Sequence, residues 1–94
     1  MTILKYKIAP RATKDLCDLK LFLEAAGEGD VFFLIKKRIK TAIAMLREFP
    51  ELGIYQKEVG ARAFSVPKTR YIIFFQKTED LLEILRIFHT SQKW

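Results

Sequence analysis

The residues best suited to chemistry lie in the second half of the chain. His89 follows the last predicted strand, and Arg62, Tyr71 and Arg86 lie on neighbouring predicted strands. A histidine can transfer a proton near neutral pH and arginines can hold phosphate, so this set is compatible with acid-base catalysis on a phosphate ester. It has no carboxylate partner or nucleophile at a motif-like spacing. From residue chemistry alone, catalysis and binding both stay open.

A cationic ridge forms the second group of candidate residues. Lys36, Lys37, Lys40 and Arg47 fall on the face of a predicted helix that is opposite its apolar stripe, with Arg38 nearer the flank. Such a face either solvates the helix or contacts an acidic protein or a phosphate backbone. Phe32 and Phe33 open the same helix and cannot both be buried, which leaves one of them as a possible interface residue.

Arg86 and the C-terminal residue Trp94 each carry a structural expectation. Arg86 is in phase with the apolar Leu82 and Ile84 of its strand, so we expect it to be partly buried and paired with a carboxylate such as Asp15. Trp94, the last residue, either folds back over the sheet or contacts a partner.

Composition limits the kinds of site that the chain can hold. The 94 residues carry 17 Lys and Arg against 11 Asp and Glu, a net charge of +6, which favours acidic or anionic partners. A single cysteine and a single histidine exclude an internal disulfide and an intramolecular Cys/His metal site. We predict no cofactor and no metal. Without a signal-peptide core or a membrane-length apolar run, we expect a soluble cytoplasmic protein of one domain, residues 1–94.

The elements that position these residues follow from hydrophobic periodicity. Residues 3–8 alternate as a strand, and Pro10 opens a helix that ends at Gly27. Asp30 is the predicted N-cap of a second helix, which Pro50 closes. Residues 51–58 are predicted to be a loop, followed by three strands at 59–66, 71–76 and 82–88. The predicted fold is α+β, in the order β-α-α-β-β-β, with an N-terminal helical hairpin packed on a small antiparallel sheet.

Four ordered segments, taken together, resemble the RelE/ParE superfamily of type II toxins over nearly the whole chain. The segments are Ala9 to Leu16, Leu46 to Gly53, Gly60 to Phe64, and Tyr71 to Phe75 followed by Glu83 to His89. Tyr-Ile-Ile-Phe-Phe and Arg-Ile-Phe-His are similar to the third-strand and last-strand signatures of the ParE branch. The ribonuclease branch has a catalytic arginine where this chain has Ile72.

This resemblance implies a toxin that binds and inhibits DNA gyrase without being an enzyme. The alternatives are a RelE-like ribosome-dependent mRNA endonuclease that uses Arg62, Arg86 and His89, or an inactive homologue that only binds antitoxin. The implied partners are gyrase and a cognate acidic antitoxin with an amphipathic helix, in a toxin dimer or a toxin–antitoxin heterotetramer. The residues predicted to contact target or antitoxin are Phe33, Lys36, Lys37, Lys40, Arg62, Tyr71, Arg86, His89 and Trp94.

Overall fold

Two helices and five strands make up the computed structural model, which describes residues 3–91. The elements are β1 (Lys5–Ile8), α1 (Pro10–Ala25), α2 (Gly29–Glu48), a short 3₁₀ helix (Pro50–Leu52), β2 (Ile54–Gln56), β3 (Ala61–Ser65), β4 (Tyr71–Thr78) and β5 (Leu81–His89). The strands form a single sheet in the order β1-β5-β4-β3-β2. The α+β class is confirmed, as is the order of a strand, two helices and an antiparallel meander.

The sheet is mixed and not antiparallel throughout as predicted, because β1 pairs with β5 in parallel while the other neighbouring strands are antiparallel. The helical hairpin carries the chain away after β1 and leaves that strand beside the last one. A parallel neighbour needs a long crossover of this kind, which the local sequence pattern does not reveal. The structure also adds the three-residue edge strand β2, within the segment that we predicted to be a loop.

The helical hairpin packs its apolar stripes on one face of the sheet. Pro10 occupies the first turn of α1, and the chain between the helices passes through Gly27 at a φ of 75°. Asp30 lies in the first turn of α2 and is not its N-cap, since the helix begins at Gly29 and no side chain caps it. The carboxylate there still suits the positive end of the helix dipole.

The core joins both helices to the central strands. Its buried members are Leu4, Ala12, Ile39, Ala42, Ile43, Leu46, Val66, Ile73, Phe75, Leu82, Ile84 and Ile87. Two hydrogen bonds join Leu4 to Arg47 at the end of α2. The Leu4 N–H donates to the Arg47 carbonyl at 3.0 Å, and the Leu4 carbonyl accepts from Arg47 Nε at 2.7 Å. These two hydrogen bonds help to position β1 beside β5.

A β-bulge changes the phase of β5 midway along its length. Phe75 pairs with Ile84 and Phe74 pairs with Arg86, so Leu85 is the extra residue. Ile87, and not Arg86, therefore continues the core side of the strand. Our prediction that Arg86 shares the face of Leu82 and Ile84 was wrong for this reason.

Candidate functional site

A buried ion pair between α1 and β5 lies at the centre of the candidate site. Arg86 donates from Nε to Asp15 Oδ2 at 2.9 Å and from Nη2 to Oδ1 at 3.0 Å. Both side chains are about seven-eighths buried, with relative exposures of 15% and 13%. The predicted partial burial of Arg86 and its pairing with Asp15 are present, although the bulge changes the direction from which Arg86 reaches that carboxylate.

Asp15 also satisfies the backbone of β5 where β1 ends. The last β1 pair is Ile8 with Ile84, and beyond it the Ile87 N–H donates to Asp15 Oδ2 at 2.9 Å. The carboxylate thus accepts a backbone hydrogen bond from β5 that a continued β1 strand would otherwise accept. Its hydrogen bond to Arg86 raises the pKa of that guanidinium, against the opposing effect of burial. Arg86 therefore stays charged, and its Nε and Nη2 are committed to a structural partner.

Tyr71 and His89 form a second unit at the end of the sheet. They are register partners on β4 and β5, and their rings meet edge to face with centroids 5.3 Å apart. The Ser91 N–H donates to His89 Nδ1 at 3.1 Å, which makes that nitrogen an acceptor in this arrangement. Partial burial raises the pKa of the Tyr71 hydroxyl above its ordinary value of about 10. Tyr71 is therefore a neutral phenol at physiological pH.

A cleft of about 470 Å³ opens between α1 and this end of the sheet. We call it the α1 cleft. Leu19, Phe22 and Ile87 supply apolar surface, and Tyr71 and His89 form part of its wall. The polar members Asp15, Asp18 and Ser91 complete the lining. A cleft with an apolar floor and a few polar groups suits the apolar face of a partner helix.

Arg62 lies at the other end of the meander. It pairs with Phe75, whereas His89 pairs with Tyr71, four residues earlier on β4. At about 3.3 Å per residue, these positions are about 13 Å apart along the strand. Arg62 Nη1 donates to the Gly53 carbonyl at 2.9 Å. The structure therefore brings Tyr71 and His89 together at one end of β4, while Arg62 and Arg86 pair with the adjacent residues Phe75 and Phe74 nearer its middle.

The predicted ridge on α2 is exposed at its lysines. The prediction that Arg47 belongs to it was wrong, because the Arg47 side chain is partly buried and donates to the Leu4 carbonyl. Lys36, Lys37 and Lys40 are all solvent-accessible, and Phe33 is 72% exposed while Phe32 is buried. Of the two phenylalanines, Phe33 is thus the one available to a partner. Trp94 lies outside residues 3–91, so its predicted contact stays a prediction.

Sequence reasoning missed three residues of the α1 cleft. Phe22 is 71% exposed on α1, where Leu19 precedes it by one helical turn and Asp18 by four residues. The available signal was a phenylalanine outside the buried stripe of an amphipathic helix. Within residues 3–91, no cluster of three His, Cys, Asp or Glu side chains could hold a metal ion. No helix in the same range is long and apolar enough to cross a membrane.

Comparisons with known proteins agree with this architecture. The chain has the fold of the chromosomal ParDE TA system from P. aeruginosa, with a TM-score of 0.80 at 16% identity, covering 93% of this chain and 96% of that one. No curated protein sequence matches the chain significantly. The family model described as "ParE toxin of type II toxin-antitoxin system, parDE" matches residues 6–94. Because that match spans nearly the whole chain, the protein belongs to the ParE toxin family of type II toxin-antitoxin systems.

Proposed function

We propose that this ParE toxin inhibits DNA gyrase in the cytoplasm by binding to it, and that a cognate antitoxin neutralises the toxin. Inhibition by binding requires an exposed contact surface and no bond-making group. Phe33 and the neighbouring lysines of the α2 ridge supply such a surface. The positive ridge would also speed the encounter with an acidic partner.

The observation that carries this proposal is the separation of the residues that a nuclease would need together. A RelE-like mechanism would use Arg62, Arg86 and His89 on one phosphate. Here Arg86 is held by Asp15, and Arg62 bonds the Gly53 carbonyl about 13 Å farther along the sheet than His89. The two residues pair with opposite parts of β4, and the Arg62 guanidinium is bonded to the Gly53 carbonyl. The geometry therefore favours binding over cleavage.

The proposed antitoxin contact is the α1 cleft. Leu19, Phe22 and Ile87 present apolar surface, which an amphipathic helix can bury. The net charge of +6 favours an antitoxin rich in acidic residues. Occupancy of this cleft would cover Tyr71 and His89, two of the residues predicted to contact a partner.

The direct test is supercoiling of relaxed plasmid by purified gyrase, with and without toxin freed from antitoxin. We expect inhibition, accompanied by linear DNA if the toxin traps the cleaved intermediate. Addition of the antitoxin encoded beside the toxin should restore supercoiling. A Phe33→Ala variant should inhibit less while melting at the wild-type temperature, because its side chain is exposed.

Two other outcomes would count against gyrase as the target. Folded toxin that leaves supercoiling unchanged, but causes codon-aligned cuts in cellular transcripts after induction, would support the RelE-like endonuclease alternative. Folded toxin that does neither and arrests no growth would support an inactive antitoxin-binding homologue.

Antitoxin binding can be tested separately by comparing substitutions of two phenylalanines with matched exposure. Phe22 and Phe33 are equally exposed, at 71% and 72%, but only Phe22 lines the α1 cleft. Calorimetric titration should show weaker antitoxin binding by Phe22→Ala than by Phe33→Ala. Equal affinities would remove the α1 cleft as the contact. Light scattering on the wild-type complex would distinguish a one-to-one pair from the heterotetramer.

A further inference from the structure

A second cleft lies between α2 and the turn that joins β3 to β4. It consists of two adjoining pockets that share Leu34 and Arg38, and we call it the α2 cleft. Lys37 lines one pocket, while Lys68 and Arg70 line the other. The remaining lining residues are Val31, Ile35, Thr41, Ala42, Met45, Pro67, Thr69, Tyr71 and His89. The cleft runs from the body of α2 to the wall formed by Tyr71 and His89.

The charge of the α2 cleft has one sign. Four cationic side chains line it, namely Lys37, Arg38, Lys68 and Arg70, and no carboxylate does among residues 3–91. The ion pairs within those residues involve Lys5, Lys7, Lys14 and Arg86 only. Like charges gathered without counter-charges attract anions strongly. Among the described residues, the cleft is therefore a cationic surface without a carboxylate in its lining.

Lys68 occupies a backbone conformation that does not suit lysine. The Thr69 N–H donates to the Val66 carbonyl at 3.2 Å, and Lys68 follows Pro67 with a φ of 62°. This is the third position of a type II turn, which favours glycine because a Cβ is strained at positive φ. A lysine at this position places a charge at the mouth of the cleft despite that strain. Strained residues of this kind cluster at functional sites.

We propose that the α2 cleft binds the phosphodiester backbone of nucleic acid. Arginine guanidinium groups hold phosphate oxygens through paired hydrogen bonds, and lysines add point charges. The rings of Tyr71 and His89 stand beside these cations, the combination found in grooves that track a nucleic-acid backbone. An acidic protein would also complement the positive charge, but the two aromatic rings beside the cations favour nucleic acid.

This inference goes beyond gyrase inhibition and does not rest on it, because the binding can be measured without gyrase. The experiment is fluorescence anisotropy of a labelled duplex DNA with purified toxin over a range of salt concentrations. A cleft in which four cations meet phosphates predicts that log K falls against log salt with a slope of about −3.6. A single-stranded RNA of equal length, run in parallel, distinguishes the two sources of phosphodiester.

The decisive variant combines Lys68→Gly with Arg70→Gln. It should reduce the magnitude of the salt slope by about 2. Lys68→Gly alone should fold at least as well as the wild type, since glycine accepts the positive φ. The matched control is Lys20→Gln with Lys77→Gln, which removes two exposed charges that line neither pocket of the cleft. The control should retain the wild-type slope.

The outcomes separate the possible ligands. Binding to DNA or RNA that weakens only in the cleft variant supports the proposal and identifies the nucleic acid. The proposal is overturned by equal losses in both variants, by the absence of nucleic-acid binding, or by polyglutamate binding that the cleft variant alone abolishes. Loss of DNA binding with gyrase inhibition intact would separate this site from the proposed function.

Discussion

At the scale of single residues, Asp15 connects the first helix to the last strand. It accepts two hydrogen bonds from Arg86 and one from the Ile87 backbone. A buried ion pair is stabilising only relative to its broken form, because removal of one partner leaves the other charge without compensation. The pair therefore makes a strong prediction about substitution.

Arg86→Ala should destabilise the fold by about 3 kcal/mol, because it leaves the Asp15 carboxylate buried with one hydrogen bond from the Ile87 backbone. For a domain of this size, that loss lowers the melting temperature by at least about 10 °C. Activity should fall with stability. Thermal melting followed by circular dichroism checks the effect, and a melting curve that overlays the wild type would contradict it.

A double substitution provides the control. Asp15→Leu with Arg86→Met removes both charges and keeps much of the volume, so it should recover part of the lost stability. No recovery would mean that the hydrogen bond from Ile87 N to Asp15, which only the double variant loses, contributes as much stability as the removal of the unpaired charge restores.

The raised pKa of Tyr71 predicts that the free energy of unfolding depends on pH in the alkaline range. Burial raises the pKa of its hydroxyl, so the folded state holds the proton to higher pH than the unfolded state does. The stabilisation is complete below the unfolded pKa of about 10 and is lost as the pH rises through the folded value. Urea titrations above pH 10 should show a steeper loss of stability for the wild type than for Tyr71→Phe. Equal slopes for the two proteins would contradict this expectation.

At the scale of elements, the approach of the 3₁₀ helix to the sheet depends on Gly53. A Cβ at this position would overlap the ring of Phe75 and lie 3.1 Å from the Cβ of Arg62. Phe75 is fully buried in the core and cannot move aside without disturbing its neighbours. Glycine is therefore required here by close approach, since its own φ is an ordinary −78°.

Gly53→Ala should destabilise the fold by about 2 kcal/mol through overpacking against Phe75. Gly29→Ala is the matched control, because its Cβ would meet only the Glu24 side chain at 3.7 Å, an ordinary contact. That change should stabilise the start of α2 by about 0.5 kcal/mol. Chemical denaturation of both variants checks the opposite signs, and a neutral Gly53→Ala would show that the 3₁₀ helix can shift.

At the scale of the whole molecule, we expect the charge of the α2 ridge to control the rate of association with a partner. Reversal of Lys36, Lys37 and Lys40 to glutamate changes the net charge from +6 to 0, since each reversal removes two units. We expect weaker binding to gyrase or antitoxin, mainly through slower association, and a reduced sensitivity to salt. Surface plasmon resonance at several ionic strengths measures both effects. Unchanged affinity at low salt would mean that these lysines only solvate the helix.

The sequence by itself determined the elements and their order. Proline at the start of α1, the apolar spacing of both helices and the alternating second half reflect local interactions, which a single segment encodes. The charge of the ridge and the ordered motifs of the family are also readable along the chain. The expectation that Arg86 needs a carboxylate followed from the cost of burying a charge, whatever the partner.

Only the tertiary structure decided which distant residues meet. The parallel placement of β1, the bulge that turns Arg86 out of the core phase, and the separation of Arg62 from His89 depend on pairing between strands far apart in the chain. The α2 cleft likewise joins Arg38 to Lys68 and Arg70 across about thirty residues of sequence. Such contacts are selected by the packing of the whole core, because one residue of slip in a strand moves its side chains to the other face.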